Sequence, residues 1–245
     1  MEEIKTKGIV IKAMDYKDSD KIVTIFSADR GIIHARARGV KKAKAKLAFA
    51  VQPFAFVEFM LATSGDFYTV INATSIDQFY DITADFDNFI FMSACLELCS
   101  KTIKENDDSE EMFLLLLASL KAVAYDKISA MQVFIKFMLE ALMLLGFSVE
   151  LNYCTGCGER LNGKSSYFSF DCNGLVCDKC ANKLPVLEIS AGELAILKKI
   201  NESSFETLGG LKFLNRDDLV SVISLLLKVF RVNTDEEIET IKQYL

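Results

Sequence analysis

Residues 154–180 read CTGCGERLNGKSSYFSFDCNGLVCDKC and hold two Cys-x2-Cys pairs that are nineteen residues apart. Two residues between paired cysteines let a tight turn aim both sulfurs at one ion, and two such pairs at this spacing are typical of a zinc ribbon. Redox chemistry is the alternative for either pair taken alone. We predict that four thiolates bind one Zn²⁺ in a structural site: Cys154, Cys157, Cys177 and Cys180.

The chain around this ribbon has 245 residues, of which 51% are hydrophobic, so it can bury one large core or two to three small ones. No apolar run reaches the ~18 residues that cross a membrane, and the start, Met-Glu-Glu-Ile-Lys, lacks the apolar stretch of a signal peptide. Three further cysteines are an odd number that does not favour a disulfide framework. We therefore expect a cytoplasmic protein with no membrane partner.

The first eighty residues contain five short runs of β character, separated by polar or Gly-containing turns. These runs lie at roughly 8–14, 21–27, 31–38, 54–61 and 67–74. Five strands in so short a segment predict a small barrel of the OB type, whose strand faces and loops commonly bind single strands or oligosaccharides. A plain structural barrel or an SH3-like module fits the strand count equally well.

From Phe86 onward the pattern changes to helices, predicted near 86–104, 110–125, 130–146, 190–201, 217–231 and 235–244. Capping boxes are predicted at Ser129–Gln132, Ser190–Glu193 and Thr234–Glu237, and Gly146 marks a helix stop. The helix from Ala130 is apolar nearly all round and should be the central one. The fold class is therefore α+β and multidomain: a barrel at 1–80, a helical domain at 81–150 with 184–245, and an inserted zinc ribbon at 151–183.

The net charge of −6 argues by itself against nucleic-acid binding, but residues 1–80 have a net charge of +3 and the remainder one of −9. Seven cations and no carboxylate lie between Arg30 and Lys46. Strand alternation turns Ile33, Ala35 and Ala37 to one side and His34, Arg36 and Arg38 to the other. A flexible lysine loop suited to phosphates follows, with Lys41, Lys42, Lys44 and Lys46. A solvated loop beside a solvated strand is the alternative.

Single-strand binders also use aromatic rings on which bases stack. The candidates in this region are Tyr16, Phe49, Phe54, Phe56, Phe67 and Tyr68. We predict that most of them belong to the barrel core, and that Tyr16, in the polar turn that ends at Asp20, is the exposed ring.

The chain resembles the bacterial RecO family of recombination mediators over nearly its whole length. The motifs that carry the resemblance are Gly8–Ile11, the Tyr16–Asp20 turn, Lys21–Phe26, Arg30–Ile33 with Arg38–Gly39, Gln52–Phe54, Leu144–Phe147 leading to Leu151, Cys154–Gly158, and Gly174–Cys177. One departure is the missing proline before the first cysteine pair, where Ser148-Val149-Glu150 stands. Cys172 is an extra thiol that could compete as a ligand, although its spacing to Cys177 is less suitable than that of Cys180.

The resemblance implies an OB-fold domain, a helical domain and an inserted zinc ribbon. It also implies that the protein binds single- and double-stranded DNA, anneals complementary strands, and helps load RecA recombinase onto strands coated by single-strand-binding protein (SSB). The partners that the resemblance implies are a RecR-like protein and the acidic C-terminal tail of SSB. Such a protein is cytoplasmic and associated with the nucleoid. Carried over by position, the expected DNA contacts are Arg36, Arg38, Lys41, Lys42, Lys44 and Lys46. An apolar groove edged by cations should bind the SSB tail, and the nearest cations are Lys121, Lys127 and Lys136.

Two other classes of function remain as alternatives. One is an adapter whose barrel and ribbon bind proteins while the lysines confer solubility. The other is an enzyme such as a zinc deaminase or a nuclease, which the sequence disfavours: His34 is followed by Ala35 and Arg36 where a deaminase needs His-x-Glu, and proline precedes neither cysteine pair. We expect no catalytic residues and no P-loop chemistry.

Overall fold

Five strands close into a barrel in the computed structural model, which describes residues 3–64, 67–161, 167–213, 215–242 and 244. They are β1 (Glu3–Tyr16), β2 (Asp20–Ser27), β3 (Gly31–Ala37), β4 (Phe56–Ser64) and β5 (Phe67–Asp77). The order around the barrel is β1-β2-β3-β5-β4, and β4 pairs back onto β1. Neighbouring strands run antiparallel except for β3 and β5, which are parallel. The predicted five-stranded OB-type barrel is thus confirmed.

Alternation along β3 shows why this segment folds as a barrel strand. Ile33, Ala35 and Ala37 are each 1% exposed and belong to the barrel core, whereas His34 is exposed and Arg36 is half-buried between them. The small alanines leave room for large side chains from the opposite wall, such as Phe59. The strand therefore offers one apolar side to the core and one polar side to solvent, as the sequence predicts.

Three helices follow the barrel and belong with it to one compact unit, Met1–Ala124. They are α1 (Tyr80–Thr83), α2 (Phe86–Thr102) and α3 (Glu110–Ala124). The ring of Phe113 on α3 packs edge-on against Phe26 and Phe56 of the barrel, with centroids 5.5 and 5.9 Å away. Such aromatic contacts, together with the apolar area that they bury, hold the helices on the barrel.

The connection between α2 and α3 crosses the barrel at Gly31. The N–H of Ile32 donates to the carbonyl of Lys104 (3.2 Å), and the N–H of Asn106 donates to the carbonyl of Arg30 (2.9 Å). Gly31 has a φ of +62°, and a Cβ there would lie 2.0 Å from the carbonyl oxygen of Lys104. A side chain at this position would therefore separate the two backbones.

The second compact unit, Tyr125–Leu245, is built around one buried helix. Its elements are α4 (Ala130–Leu144), β6 (Tyr167–Ser169), β7 (Gly174–Val176), α5 (Asp178–Ala181), β8 (Leu187–Glu188), α6 (Ala191–Glu202), α7 (Phe205–Leu208) and α8 (Arg216–Thr234). Twelve of the fifteen residues of α4 are buried, and α4 contacts α6, α7 and α8. The prediction that the helix from Ala130 is central is therefore confirmed.

The helix termini agree with the sequence at two places. Ser190 and Glu193 form the predicted capping box at the start of α6. Gly146, with φ +87°, ends α4, and the N–H of Phe147 donates to the carbonyl of Leu142 (2.8 Å) in a Schellman arrangement.

Two predicted capping boxes and one predicted helix are wrong. Ser129 precedes α4 without a side-chain cap, and the side-chain amide of Gln132 donates to the carbonyl of Leu211 (3.3 Å). Thr234 ends α8, because Asp235 takes a left-handed conformation with φ +58°. The described residues of 235–244 then form turns and irregular backbone where the sequence predicts a helix. Glu237 pairs with Arg231 and does not cap a helix.

The domain boundaries predicted at 80/81, 150/151 and 183/184 stay a prediction about which parts of the chain fold independently.

The sequence also predicts that no helix crosses a membrane. Within the described residues, none of the helices is both long enough and apolar enough to span a bilayer.

We predict that Gly31→Ala destabilises the barrel unit by about 3 kcal/mol or more, since it adds left-handed strain and displaces two hydrogen bonds of about 1 kcal/mol each. The measurement is the free energy of unfolding from urea titration. Gly39→Ala is the matched control: Gly39 has φ +68°, but the nearest atom to its Cβ would be Lys42 Cδ at 3.9 Å. Gly39→Ala should cost about 1 kcal/mol, from strain alone. If both variants lost the same free energy of unfolding, the close contact between Gly31 and the connection from α2 to α3 would be contradicted.

Candidate nucleic-acid interface and metal centre

The carboxylate of Asp20 organises the basic end of β3. Asp20 is 6% exposed, and its Oδ2 accepts hydrogen bonds from Nη2 and Nε of Arg36 at 2.6 and 2.8 Å. Its Oδ1 accepts from the N–H of Gly39 at 2.8 Å. The Gly39 N–H, followed by the Arg36 guanidinium, lowers the pKa of Asp20 to about 2. Asp20 therefore stays ionised near neutral pH, neutralises Arg36, and ties the end of the strand to the following loop.

An exposed aromatic ring lies beside this ion pair. Tyr16 is 39% exposed, which confirms its predicted exposure. The guanidinium of Arg36 and the ammonium of Lys17 each lie 5.3 Å from the centroid of its ring. These distances are within the range of cation–π attraction, which holds the ring between two cations.

The predicted DNA-contacting residues, which we call the basic face, divide into paired and unpaired cations. Arg36 is bound to Asp20, and Lys41 donates to Asp15 (2.8 Å). The other four are exposed, and within the described residues no carboxylate pairs with them: Arg38, Lys42, Lys44 and Lys46. The six residues thus lie on β3, at position 38 directly after it, and on the loop 39–46, which we call the lysine loop. Their role in DNA binding stays a prediction.

The lysine loop consists of successive hydrogen-bonded turns, where the sequence predicts a flexible segment. The N–H of Lys42 donates to the carbonyl of Gly39 (3.2 Å), and the N–H of Ala45 donates to that of Lys42 (3.0 Å). Val40 is 6% exposed and packs into the barrel core, which anchors the loop. An open depression of about 590 Å³ lies between this loop and the β1–β2 turn; it is lined by Lys17, Asp18, Ser19, Asp20, Arg36, Arg38, Gly39 and Lys42.

The rings other than Tyr16 do not all lie in the barrel core as predicted: Phe49 and Tyr68 pack against it, whereas Phe54 contacts Phe89 of α2 and Phe56 contacts Phe113 of α3. Phe54 is fully buried, but Phe67, the first residue of β5, is 74% exposed. The signal in the sequence is alternation: Tyr68 and Val70 face the barrel core, so Phe67 and Thr69 must face outward. Phe67 therefore joins the outer surface on which Arg36 lies.

The four cysteines of the two Cys-x2-Cys pairs meet at one point in the second unit. The sulfurs of Cys154, Cys157, Cys177 and Cys180 all lie within 4.8 Å of one another, and those of Cys157 and Cys177 are 3.8 Å apart. A tetrahedron with metal–sulfur bonds of about 2.3 Å has sulfur–sulfur edges of about 3.8 Å. The cluster therefore has the size and the donor chemistry for a tetrahedral thiolate-bound ion such as Zn²⁺. Cys172 lies outside it and is half-buried.

Backbone geometry explains how each Cys-x2-Cys pair forms a tight turn. The N–H of Gly158 donates to the carbonyl of Cys154 (2.7 Å), and Gly158 has φ +77°, which closes the first turn. A Cβ at Gly156 would lie 3.0 Å from the sulfur of Cys180, so only a glycine leaves that sulfur its full space. The sulfurs are therefore held together by turns that the glycines permit.

Electrostatics in the cluster favour a bound cation. Burial raises the pKa of the Cys154 thiol, but backbone N–H groups, first that of Cys177, outweigh burial and lower this pKa to about 6. The hydrogen bond with the Cys177 thiol, together with burial, raises the pKa of Cys180 to about 12. One thiolate is thus stabilised by the protein itself, and a metal ion would stabilise the others.

Comparisons with known proteins cover most of the chain. The family model described as "Recombination protein O N terminal" matches residues 1–79, and the one described as "Recombination protein O C terminal" matches residues 83–224. The chain is 32% identical over 209 residues to the DNA repair protein RecO of Acetivibrio thermocellus, a match covering 85% of this chain and 83% of the relative. It is 31% identical over 216 residues to that of a Thermoanaerobacter species, covering 86% and 85%.

We predict that Cys154→Ser abolishes stoichiometric metal binding and unfolds the ribbon locally, because metal binding and folding of such sites are coupled. Cys172→Ser, the control, should keep the metal. The measurements are metal content by mass spectrometry of freshly purified, reduced protein, and the rate of proteolysis within 151–183. Wild-type protein without about one zinc per chain, or a Cys154→Ser variant that retains it, would contradict the four-thiolate site.

Proposed function

This chain belongs to the RecO family of DNA repair proteins, and we propose that it binds single- and double-stranded DNA through the basic face and anneals complementary strands. The observation that carries the proposal is the cluster of four exposed cations that no described carboxylate pairs with, Arg38, Lys42, Lys44 and Lys46. They lie at the end of β3, one of the two strands whose face OB-type barrels use for binding, and on the loop that follows it.

Annealing by this surface would be electrostatic. Two DNA strands repel one another through their phosphates, and cations that neutralise several phosphates lower that cost while releasing counterions. Lysine suits this role because its ammonium is a point charge that needs little geometric precision. The mechanism reads no base edges, so we expect no sequence specificity.

A recombination mediator also needs protein partners. We propose that the protein works in the bacterial cytoplasm, at the nucleoid, with a RecR-like protein, and helps load RecA recombinase onto SSB-coated strands. It would act by binding and not as an enzyme, and the Zn²⁺ in its four-thiolate site would be structural, since four protein ligands leave no open coordination position. The alternative is an adapter without a direct DNA role.

An apolar groove in the second unit is the best candidate for the acidic SSB tail. It encloses about 470 Å³ and is lined by Leu227, Lys228, Arg231, Val232, Glu237, Ile238 and Lys242. Val232 is 54% exposed and supplies apolar surface, while three cations stand at the edge. Glu237 pairs with two of them, Arg231 and Lys242, and Lys228 lies 4.2 Å from the Phe170 ring centroid.

Of the three cations proposed from the sequence, Lys121 and Lys127 are exposed and stay candidates, whereas Lys136 is buried. Lys136 is 6% exposed, and its ammonium binds Glu140 (2.8 Å) and the carbonyl of Asn201 (3.2 Å). A lysine held in this way inside α4 supports the packing of the helix and does not face an incoming peptide. We therefore propose the groove on α8 and not the surface near Lys136.

For DNA binding, we predict that replacing Arg38, Lys42, Lys44 and Lys46 together by alanine weakens both single-stranded and duplex binding and slows annealing. The slope of log affinity against log salt should fall by about 3, since each lost phosphate contact contributes about 0.7 to 0.9. The measurement is fluorescence anisotropy across a salt series, with annealing of labelled complementary strands, bare and SSB-coated.

The control removes four exposed lysines of the second unit, Lys179, Lys183, Lys199 and Lys212, and so makes the same change in net charge. Equal effects of the two sets would indicate attraction by overall charge and not by the basic face. Unchanged affinity and annealing in the first variant would favour the adapter.

For the groove, we predict that Val232→Glu weakens binding of the cognate SSB tail peptide at least about tenfold, because a carboxylate in the groove repels an acidic peptide and adds a polar group to its apolar contact. Leu114→Glu is the control, since Leu114 on α3 is 53% exposed. Binding is measured by anisotropy of the labelled peptide. A tail that binds Val232→Glu as tightly as wild type does not use this groove.

A further inference from the structure

The outer surface where β3 and β5 meet combines an exposed aromatic ring with the basic face. β3 and β5 pair in parallel, with Ala35 opposite Tyr68 and Arg36 opposite Thr69. His34 and Phe67 each stand one residue before this paired stretch, on the outer side of their strands. Both side chains are exposed.

Burial in the barrel core does not account for the ring of Phe67. It is 74% exposed, among the most exposed of the large apolar side chains in the described residues, while the next residue, Tyr68, packs against the barrel core. A phenylalanine left in water forgoes the favourable free energy of burying its ring. An isolated exposed ring would need no explanation, but this one lies two residues from the strand partner of Arg36.

Charge complementarity identifies the chemistry of the occupant. The guanidinium of Arg36, the strand partner of Thr69, lies beside the second exposed ring, Tyr16, while Arg38 and Lys42, unpaired among the described residues, lie just beyond the end of β3. A ligand that fits has flat apolar faces and regularly spaced anions. A single strand of DNA has both, whereas a duplex hides its base faces by stacking.

We propose that Phe67 is a base-stacking residue that gives this barrel its preference for single-stranded over duplex DNA. The inference rests on the proposed function, because it assigns the unpaired bases of the same bound strand to Phe67 and its phosphates to the neighbouring cations. It adds a division of labour: the cations attract any DNA, and the ring recognises unpaired bases.

Phe67→Ala should weaken binding of a single-stranded oligonucleotide about tenfold and leave the affinity for the duplex of the same sequence within about twofold. The slope of log affinity against log salt should not change, since no charge is lost. Phe67→Trp should restore single-strand binding, while Phe67→Leu should not. An abasic single strand should bind wild type and Phe67→Ala equally well.

Tyr80→Ala is the matched control, because Tyr80 is an aromatic residue of the same unit, 69% exposed, that lies on α1 and not on the β3–β5 surface. It should change neither affinity. Because Phe67 is so exposed, the melting temperature of its variants should stay close to that of wild type.

Three results would each overturn the inference while leaving the proposed DNA binding intact. They are an equal loss of affinity for single strands and duplex in Phe67→Ala, no loss of affinity in Phe67→Ala, and full single-strand affinity in Phe67→Leu. Failure of the wild-type protein to bind either form of DNA would instead overturn the proposed function, and this inference with it.

Discussion

Closure of the barrel between β3 and β5 is the constraint on which the candidate DNA surface depends. The chain leaves β3 through the lysine loop, builds β4, and returns as β5 in parallel to the strand that it left. This path pairs Thr69 with Arg36 and puts Phe67 two residues before Thr69, on the same outer side of β5. Cations and ring come from segments far apart in sequence, so the surface exists only when the barrel is closed.

The barrel was predictable because its signal is local, whereas the details of its surface depend on distant partners. Alternation in Ile33, Ala35 and Ala37 predicts the inner side of β3, and the structure has these residues in the core. The exposure of Phe67 was missed because aromatic character was read as burial, although alternation with Val70 indicates the opposite. The role of Asp20 could not be read from the sequence, since its partners Arg36 and Gly39 lie well downstream.

In the second unit, too, features with a local sequence signal were predictable and features that depend on distant residues were not. The cysteine spacing predicts the metal centre because two residues between ligands fix a local turn, and the capping box at Ser190 is equally local. The expected helix after Thr234 fails because Asp235 adopts a left-handed conformation, which the pattern of polar residues does not reveal. The groove on α8 is formed with the chain segment that folds back after this helix, so it depends on that same turn.

The ion pair between Asp20 and Arg36 has a consequence for how a living cell could influence this surface. A carboxylate with a pKa of about 2 stays ionised several pH units below neutrality, so mild acidification leaves Arg36 neutralised. Dissolved ions, by contrast, screen the exposed arginine and lysines. A cell that loses water concentrates its salts, and osmotic stress would therefore weaken the phosphate binding that we propose for this surface.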